Sequence, residues 1–296
     1  MKPLDMLIAM AVPIAWGMGL VVAKPVVDGF PPLLLMALRF ATAALVLAWF
    51  VPIPRAHLKG LFWAALVGLA FQYGFTFYGL RYLDAGTTAL LVQVEVVFLV
   101  LIAAALLREP ISLRQGIGMA IAFAGIVLIT GEPRLDGQEL GISFVMIGAA
   151  AWAMGQIMIR RLGQMPGPLP GRMPGLTTIA WVALFAAPQL LVISLVVEGD
   201  PRPALASADW QVWSAVLYLG LVMTAIGYGC WYHVLGRYRA GQAGPFLLLT
   251  PVASVLGGWL FLGEPLTWQI LVGGAVVLAG VALLVLEWPN PKRQRV

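Results

Sequence analysis

The sequence predicts an all-α integral membrane protein of about ten transmembrane helices, arranged as two inverted five-helix repeats. Three observations lead to this fold class: an apolar composition, ten stretches of spanning length, and an internal repeat whose two copies carry opposite loop charges. Of the 296 residues, 61% are hydrophobic and 10% are charged. A soluble domain carries about 25% charged residues, so this composition indicates a protein whose solvent is lipid.

The counts of cysteine and histidine exclude several kinds of site. A single cysteine, Cys230, cannot form an intramolecular disulfide, and two histidines are too few for a typical metal cage. The chain has no P-loop and neither an HExxH nor a GxSxG motif. We therefore expect no metal and no cofactor, and ATP-driven pumping within this chain is unsupported.

Ten stretches are long and apolar enough to span a bilayer, which requires about 20 residues each. They lie near residues 4–23, 32–51, 59–80, 85–106, 112–130, 139–160, 175–197, 210–235, 241–262 and 267–287. Turn residues and charges separate them, and the longest connection, 163–175, is dense in proline and glycine.

Basic residues concentrate on one side of this arrangement. With the N-terminus inside, four basic residues lie outside: Lys24, Arg81, Arg134 and Arg202. The inner side holds Lys2, Arg55, Lys59, Arg108, Arg114, Arg160, Arg161, Arg172, Arg237, Arg239, Lys292, Arg293 and Arg295. This bias predicts that both termini are cytoplasmic. The formal charge of +5 then indicates contact with lipid headgroups, and no nucleic-acid partner is expected.

The two halves, residues 1–131 and 132–296, repeat each other. Ala85-Gly86 recurs as Ala240-Gly241 and Glu109-Pro110 as Glu264-Pro265, and the glycines and alanines that follow keep the same offset without a gap. Five spans per repeat is an odd number, so the halves must enter the membrane in opposite senses. Loop charge agrees, because Arg108 corresponds to the neutral Gly263. Inverted repeats are characteristic of secondary transporters.

These residues resemble the drug/metabolite transporter superfamily, in particular its ten-helix EamA-type exporters. The resemblance covers nearly the whole chain. The residues that show the resemblance are Trp16-Gly17, Arg39-Phe40, the pattern from Tyr78 to Ala89, and the paired segments 109–125 and 264–280. One departure is that Val96 stands where the second half has Pro251. Within the superfamily the chain is most similar to the YddG-type amino-acid exporters.

The resemblance implies a basket of helices around a central cavity, with helices five and ten to one side. It also implies a bacterial inner-membrane protein, not an enzyme, that exports small amphipathic metabolites by alternating access. Neutral or aromatic amino acids are the first expectation for the substrate. Drugs, nucleosides and other metabolites are the alternatives within the class, and a membrane enzyme acting on a lipid-borne group is the alternative outside it. The sequence leaves the coupling ion and the oligomeric state open.

Arg39 and Glu95 are the clearest charges within a span, where charged residues usually face a cavity or a partner. Arg39 could recognise a substrate carboxylate, or it could be a structural or snorkelling side chain. Glu95 could couple transport to protons, pair with Arg39, or bind a cationic group. Glu109 could stabilise the N-terminal end of the helix that follows it.

Aromatic and amide side chains complete the candidate cavity. Aromatic walls with a few polar groups suit amphipathic solutes, although each ring could instead pack against lipid or a neighbouring helix. Trp16 and Trp152 are repeat partners, and so are Tyr78 and His233. The full candidate set is Trp16, Arg39, Tyr78, Tyr82, Gln93, Glu95, Trp152, Gln156, Tyr228, Tyr232 and His233.

Overall fold

A computed structural model describes residues 1–27, 29–79, 82, 91–130, 139–163, 174–263 and 266–285. The regular elements among these residues are helices. We number them α1 Pro3–Val27, α2 Pro32–Leu47, α3 Arg55–Gly79, α4 Val94–Leu107, α5 Leu113–Thr130, α6 Glu139–Leu162, α7 Gly175–Val197, α8 Trp210–Arg237, α9 Ala240–Leu262 and α10 Trp268–Val285. A short helix, Arg202–Ser207, precedes α8.

Each of the ten apolar segments predicted from the sequence corresponds to one of these helices. Six of them, α1, α3, α6, α7, α8 and α9, are long and apolar enough to cross a membrane by length and composition. The other four contain shorter apolar stretches of 10–17 residues: Pro32–Leu47, Val94–Leu107, Leu113–Leu128 and Trp268–Leu283. The motifs Ala85-Gly86 and Glu264-Pro265 lie outside the described residues, as do Arg81, Arg134, Arg172 and the basic C-terminal tail.

The third helix of each half contains a π-helical stretch. In α3 it covers Leu66–Phe71, and in α8 it covers Leu219–Tyr228. At the repeat offset of 155 residues the first stretch falls inside the second. Such stretches are rare and often lie at functional sites, because the wider turn changes which side chains face a neighbouring helix.

The two halves cross each other rather than pack side by side. Helix α1 packs against α8 and α9 of the second half, and its repeat counterpart α6 packs against α3 and α4 of the first. At the centre α2 packs along α7. The core therefore lies where helices of both halves meet.

Helices α5 and α10 form a separate close pair whose backbones touch at glycines. A Cβ atom on Gly125 would lie 2.6 Å from the Val277 nitrogen, and one on Gly280 would lie 2.5 Å from the Ala122 nitrogen. The C-terminal part of each helix thus meets the middle of the other, so the two helices run antiparallel. Val277 is the repeat counterpart of Ala122, so the two contacts exchange under the repeat.

The two helices also touch at two further glycines, and a third lies off the contact. Gly273 and Gly118 contribute their carbonyl oxygens, 2.7 Å and 2.8 Å from the atoms that would be added on Gly125 and Gly280. Gly274, next to Gly273 in the sequence, has nothing within 4 Å of its added Cβ and lies off the interface. The reason is helical phase, because a neighbouring residue points about 100° away.

Candidate functional site

Arg39 lies in the centre of the bundle with neutral partners. It is seven residues from the start of α2, about 10 Å along the helix axis, and only 1% exposed. Its Nε donates to Thr224 Oγ1 at 2.6 Å, and its Nη1 donates to the Tyr73 hydroxyl at 3.1 Å. Its Nη2 is buried and finds no hydrogen-bond partner among the described residues. The guanidinium therefore links α2 to α3 and α8, and its Nη2 remains available to donate a hydrogen bond.

Two tyrosines flank this guanidinium at matching distances. The Arg39 Cζ lies 5.7 Å from the ring centre of Tyr73 and 5.8 Å from that of Tyr228. These tyrosines occupy the same position in the two repeats. Rings at such distances attract a cation electrostatically. Arg39 thus lies where the two halves present equivalent faces.

The π-helical stretch of α8 explains how Thr224 reaches Arg39. Its hydroxyl donates to the Leu219 carbonyl at 2.8 Å, five residues back, and accepts from the Arg39 Nε. Thr224 is fully buried, so both hydrogen-bonding roles of its hydroxyl are used without water. The irregular turn therefore fixes one acceptor for the guanidinium.

Glu95 contacts α3 through the side chain of Gln72. Gln72 Nε2 donates to Glu95 Oε1 at 3.2 Å, and Gln72 precedes Tyr73, the partner of Arg39. The Gln72 Oε1 is buried without a partner among the described residues. Over the same residues no basic side chain pairs with Glu95, so the predicted alternative of an Arg39–Glu95 ion pair is not found. The adjacent residues Gln72 and Tyr73 of α3 thus connect to Glu95 and Arg39, respectively.

A tryptophan cluster continues this region through Tyr228. The Trp16 ring centre lies 4.7 Å from that of Tyr228 and 6.4 Å from that of Trp152. Trp231 stacks on Trp152 at 6.1 Å and donates from Nε1 to Gln156 Oε1 at 2.7 Å. Tyr232 packs against Tyr228 at 5.6 Å. Aromatic surface and buried amide groups thus adjoin the arginine.

The structure brings together seven of the eleven candidate residues: Trp16, Arg39, Glu95, Trp152, Gln156, Tyr228 and Tyr232. Tyr78 and Tyr82 lie elsewhere, with ring centres 4.8 Å and 6.4 Å from that of Phe144 on α6. Gln93 is half-buried at the start of α4. Tyr73 and Thr224 belong to the site but were missing from the sequence-based set. The repeat offset could have identified Tyr73, because it pairs that residue with Tyr228.

His233 lies at the end of the bundle, away from the arginine. Its Nε2 contacts Asp5 Oδ1 at 3.1 Å, while Arg237 donates to its Nδ1. Because Nδ1 accepts, the proton of the neutral ring lies on Nε2 and faces the carboxylate. Tyr238 also donates to Asp5 at 2.6 Å, and this bond raises the pKa of Tyr238. His233 thus joins the start of α1 to the end of α8.

Glu109, between α4 and α5, connects to α6 and α9 at the same end of the bundle. One carboxylate oxygen accepts from the Ala240 backbone nitrogen at 3.1 Å, the first residue of α9. The other oxygen pairs with Arg160 at the end of α6, and both side chains are largely buried. These bonds join Glu109 to α9 and α6, and its effect on the N-terminal end of α5 stays a prediction. Ser112 and Gln115 cap that helix reciprocally, so Glu109 is available to α9.

Two cavities lie at the ends of the bundle. One of about 340 Å³ is polar and borders Glu109, Arg114 and Arg239. The other, of about 430 Å³, is apolar and lies between α1, α8 and α9, with Val21, Tyr218 and Phe261 in its wall. The Arg39 region lies between these ends and is closely packed, with Arg39, Thr224 and Tyr228 each at most 3% exposed.

Comparison with known proteins identifies the family. The model of the EamA-like transporter family matches the chain twice, over residues 4–131 and 139–286. A probable amino-acid metabolite efflux pump of Salmonella typhimurium is 32% identical over 99% of this chain and 98% of its own length. A protein of the same description from Escherichia coli is 30% identical over 96% of each chain.

A more distant relative and a solved structure agree with this result. An uncharacterised transporter of Bacillus subtilis is 28% identical over 97% of this chain and 98% of its own. A protein of known crystal structure superposes with a TM-score of 0.77 over 96% of each chain, at 19% identity, which establishes similarity of fold. The chain belongs to the EamA-like transporter family of membrane proteins.

Proposed function

We propose that this protein is a secondary transporter that exports small amphipathic metabolites, above all neutral and aromatic amino acids, across the bacterial inner membrane. The observation that carries the proposal is the buried Arg39, held between repeat-related tyrosines beside a tryptophan cluster. Aromatic walls provide apolar contact for a side chain, and a few polar groups orient its head group. The Salmonella and Escherichia relatives are named as probable amino-acid metabolite efflux pumps, which supports this substrate class.

We propose further that transport proceeds by alternating access between two inverted halves, residues 1–131 and 132–296. Three observations support this: the family model matches each half, α5 and α10 run antiparallel, and Arg39 is flanked by equivalent residues of both halves. In inverted-repeat transporters the substrate site lies at the repeat interface, near the middle of the membrane. The position of Arg39 between repeat-related tyrosines supports such a location.

In the proposed orientation both termini are cytoplasmic, which follows from the distribution of basic residues. The Glu109–Arg160 pair, with the Ala240 nitrogen, then closes the cytoplasmic end in this conformation. Opening toward the cytoplasm requires this cluster to separate, since it joins α6 to α9.

Purified protein in proteoliposomes tests the transport activity. The assay measures uptake of labelled neutral and aromatic amino acids, with and without an imposed pH gradient. We expect saturable uptake, which unlabelled substrate competes with and which Arg39→Gln abolishes. Arg202→Gln is the matched control, because Arg202 is exposed and its partner Asp200 lies at 4.0 Å near the surface. Saturable uptake of nucleosides or drugs, without uptake of amino acids, would redirect the substrate assignment.

The pH-gradient arm tests proton coupling through Glu95. Glu95 is a carboxylate within a spanning helix, and among the described residues it accepts a hydrogen bond from Gln72, the neighbour of Tyr73. We expect uptake to rise with an imposed proton gradient and the Glu95→Gln protein to lose that dependence. A gradient response that survives Glu95→Gln unchanged would place the coupling elsewhere.

A further inference from the structure

We infer that the site recognises its substrate as a zwitterion: Arg39 binds the carboxylate, and Glu95 with Gln72 binds the ammonium group. The inference rests on the proposed function and assigns each pole of the substrate to a named side chain. It follows from polar atoms that the protein buries and leaves incompletely bonded.

The carboxylate pole is Arg39. A guanidinium keeps its charge at any pH in a protein, and a buried charge is costly unless it is paired. Arg39 is 1% exposed, yet its bonds go to a hydroxyl of Thr224, a hydroxyl of Tyr73 and the sulfur of Met36. None of these partners is charged, and the Nη2 remains without one in the part of the chain that the structure describes. An incoming carboxylate supplies both the missing charge and the missing acceptor.

The ammonium pole is the pair Glu95 and Gln72. Glu95 accepts one hydrogen bond, from the Gln72 amide nitrogen, and no basic side chain among the described residues neutralises it. The Gln72 Oε1, on a side chain that is 6% exposed, lacks a donor. An ammonium group has three donors and no acceptor. A carboxylate and an amide oxygen side by side are therefore complementary to it.

Adjacent residues of α3 connect the two poles. Tyr73 bonds Arg39, whereas Gln72 bonds Glu95. The two charges do not pair with each other over the described residues, and a zwitterion between them would pair with both. Its side chain would then contact the rings around Trp16 and Tyr228.

The first test needs only the unmodified protein in proteoliposomes. Three competitors that share one aromatic ring are compared against uptake of a labelled amino acid: the amino acid, its decarboxylated amine and its deaminated acid. A hydrogen bond to a charged group contributes about 1.5–3 kcal/mol, which corresponds to roughly a tenfold to hundredfold change in affinity. We expect the amine and the acid each to compete at least tenfold more weakly than the amino acid. Equal competition by either analogue would refute recognition of the pole that it lacks.

The second test assigns each pole to its side chain. Glu95→Gln should weaken competition by the amino acid roughly tenfold to hundredfold and leave competition by the acid unchanged. Arg39→Lys, which keeps the positive charge but loses the planar fork, should weaken both carboxylate-bearing competitors and leave the amine unchanged. Glu139→Gln, at the exposed start of α6, is the matched control and should change none of the three.

Misfolding of a variant and removal of one substrate-binding side chain change the competition by the three compounds differently. Size-exclusion elution and thermal unfolding of each variant report folding, and a misfolded variant weakens all competitors together. An equal effect of Glu95→Gln on the amino acid and the acid, in folded protein, would overturn the assignment. If the unmodified protein moves no amino acid, the proposed function fails. If it does move amino acids but the analogues compete equally, only this inference fails.

Discussion

Replacing Gly280 with alanine should separate two helices that touch through their backbones. The added Cβ would lie 2.5 Å from the Ala122 nitrogen and 2.8 Å from the Gly118 carbonyl oxygen, whereas ordinary contact begins near 3.4 Å. Backbone atoms of a helix cannot move aside singly, so α10 must move away from α5 by about 0.9 Å, the difference between 3.4 and 2.5 Å. A gap of about 0.5–1 Å forfeits a quarter to a half of each contact energy along the seam.

The magnitude follows from two opposing effects. Overpacking typically costs about 1–3 kcal/mol, and we expect the upper end because the opposed atoms are backbone. Helices in lipid associate mainly through van der Waals contact, so the loss is not recovered by hydrophobic burial. Alanine favours a helix over glycine by about 1 kcal/mol. The net effect of Gly280→Ala should be a destabilisation of about 2 kcal/mol.

The assay is thermal unfolding in detergent, followed by tryptophan fluorescence. Gly274→Ala, on the same helix, is the control, because nothing lies within 4 Å of its added Cβ. It should stabilise by up to about 1 kcal/mol, which places the two variants about 3 kcal/mol apart. Gly125→Ala, the repeat counterpart, should match Gly280→Ala. Equal midpoints for the variants at 280 and 274 would refute the close backbone contact, and unequal effects at 125 and 280 would refute its symmetry.

Two further predictions concern the ends of the bundle. Glu109→Gln should weaken the closure between α6 and α9, because it leaves the largely buried Arg160 without its charged partner. The assay places a cysteine at the fully buried Ala243 in a Cys230→Ser background and measures its reaction with maleimide. We expect Glu109→Gln to make this reaction roughly tenfold faster. Glu198→Gln, at the opposite end of the bundle, should not change the rate. Glu198→Gln should instead lower stability by about 1–2 kcal/mol, since the carboxylate accepts from the Leu33 and Leu34 nitrogens at the start of α2. Asp200→Asn, at an exposed pair, should leave the unfolding midpoint unchanged, and an equal shift in both proteins would contradict the cap.

Much of the fold could be predicted because the bilayer imposes strong rules on sequence. Apolar stretches of spanning length correspond to helices, and the constant repeat offset identified the glycines through which α5 and α10 touch. The π-helical stretches were not foreseen. Their residues keep an ordinary apolar pattern, and hydrogen bonding to a residue five positions back has no compositional signature.

Part of the candidate site could also be predicted from the rules that the bilayer imposes on sequence. Buried charges are rare, so Arg39 and Glu95 stood out at once. Tyr78, at the end of α3, and Tyr82, beyond that end, were also candidates, but their rings meet Phe144 on α6. Tyr73 is on another face of α3 and meets Arg39. Periodicity identifies residues that share a face, but it does not say which neighbouring helix that face contacts.

The permanent charge of Arg39 has a consequence for the electrical insulation of the membrane. A guanidinium fixed about 10 Å inside the bundle repels sodium, potassium and hydronium ions that enter the same path. Positive groups of this kind exclude protons and cations from the selective pores of other membrane proteins. A path that passes between Tyr73 and Tyr228 would thus admit a carboxylate-bearing solute while resisting leak of cations. A cell could then hold many copies of the protein without discharging its membrane potential.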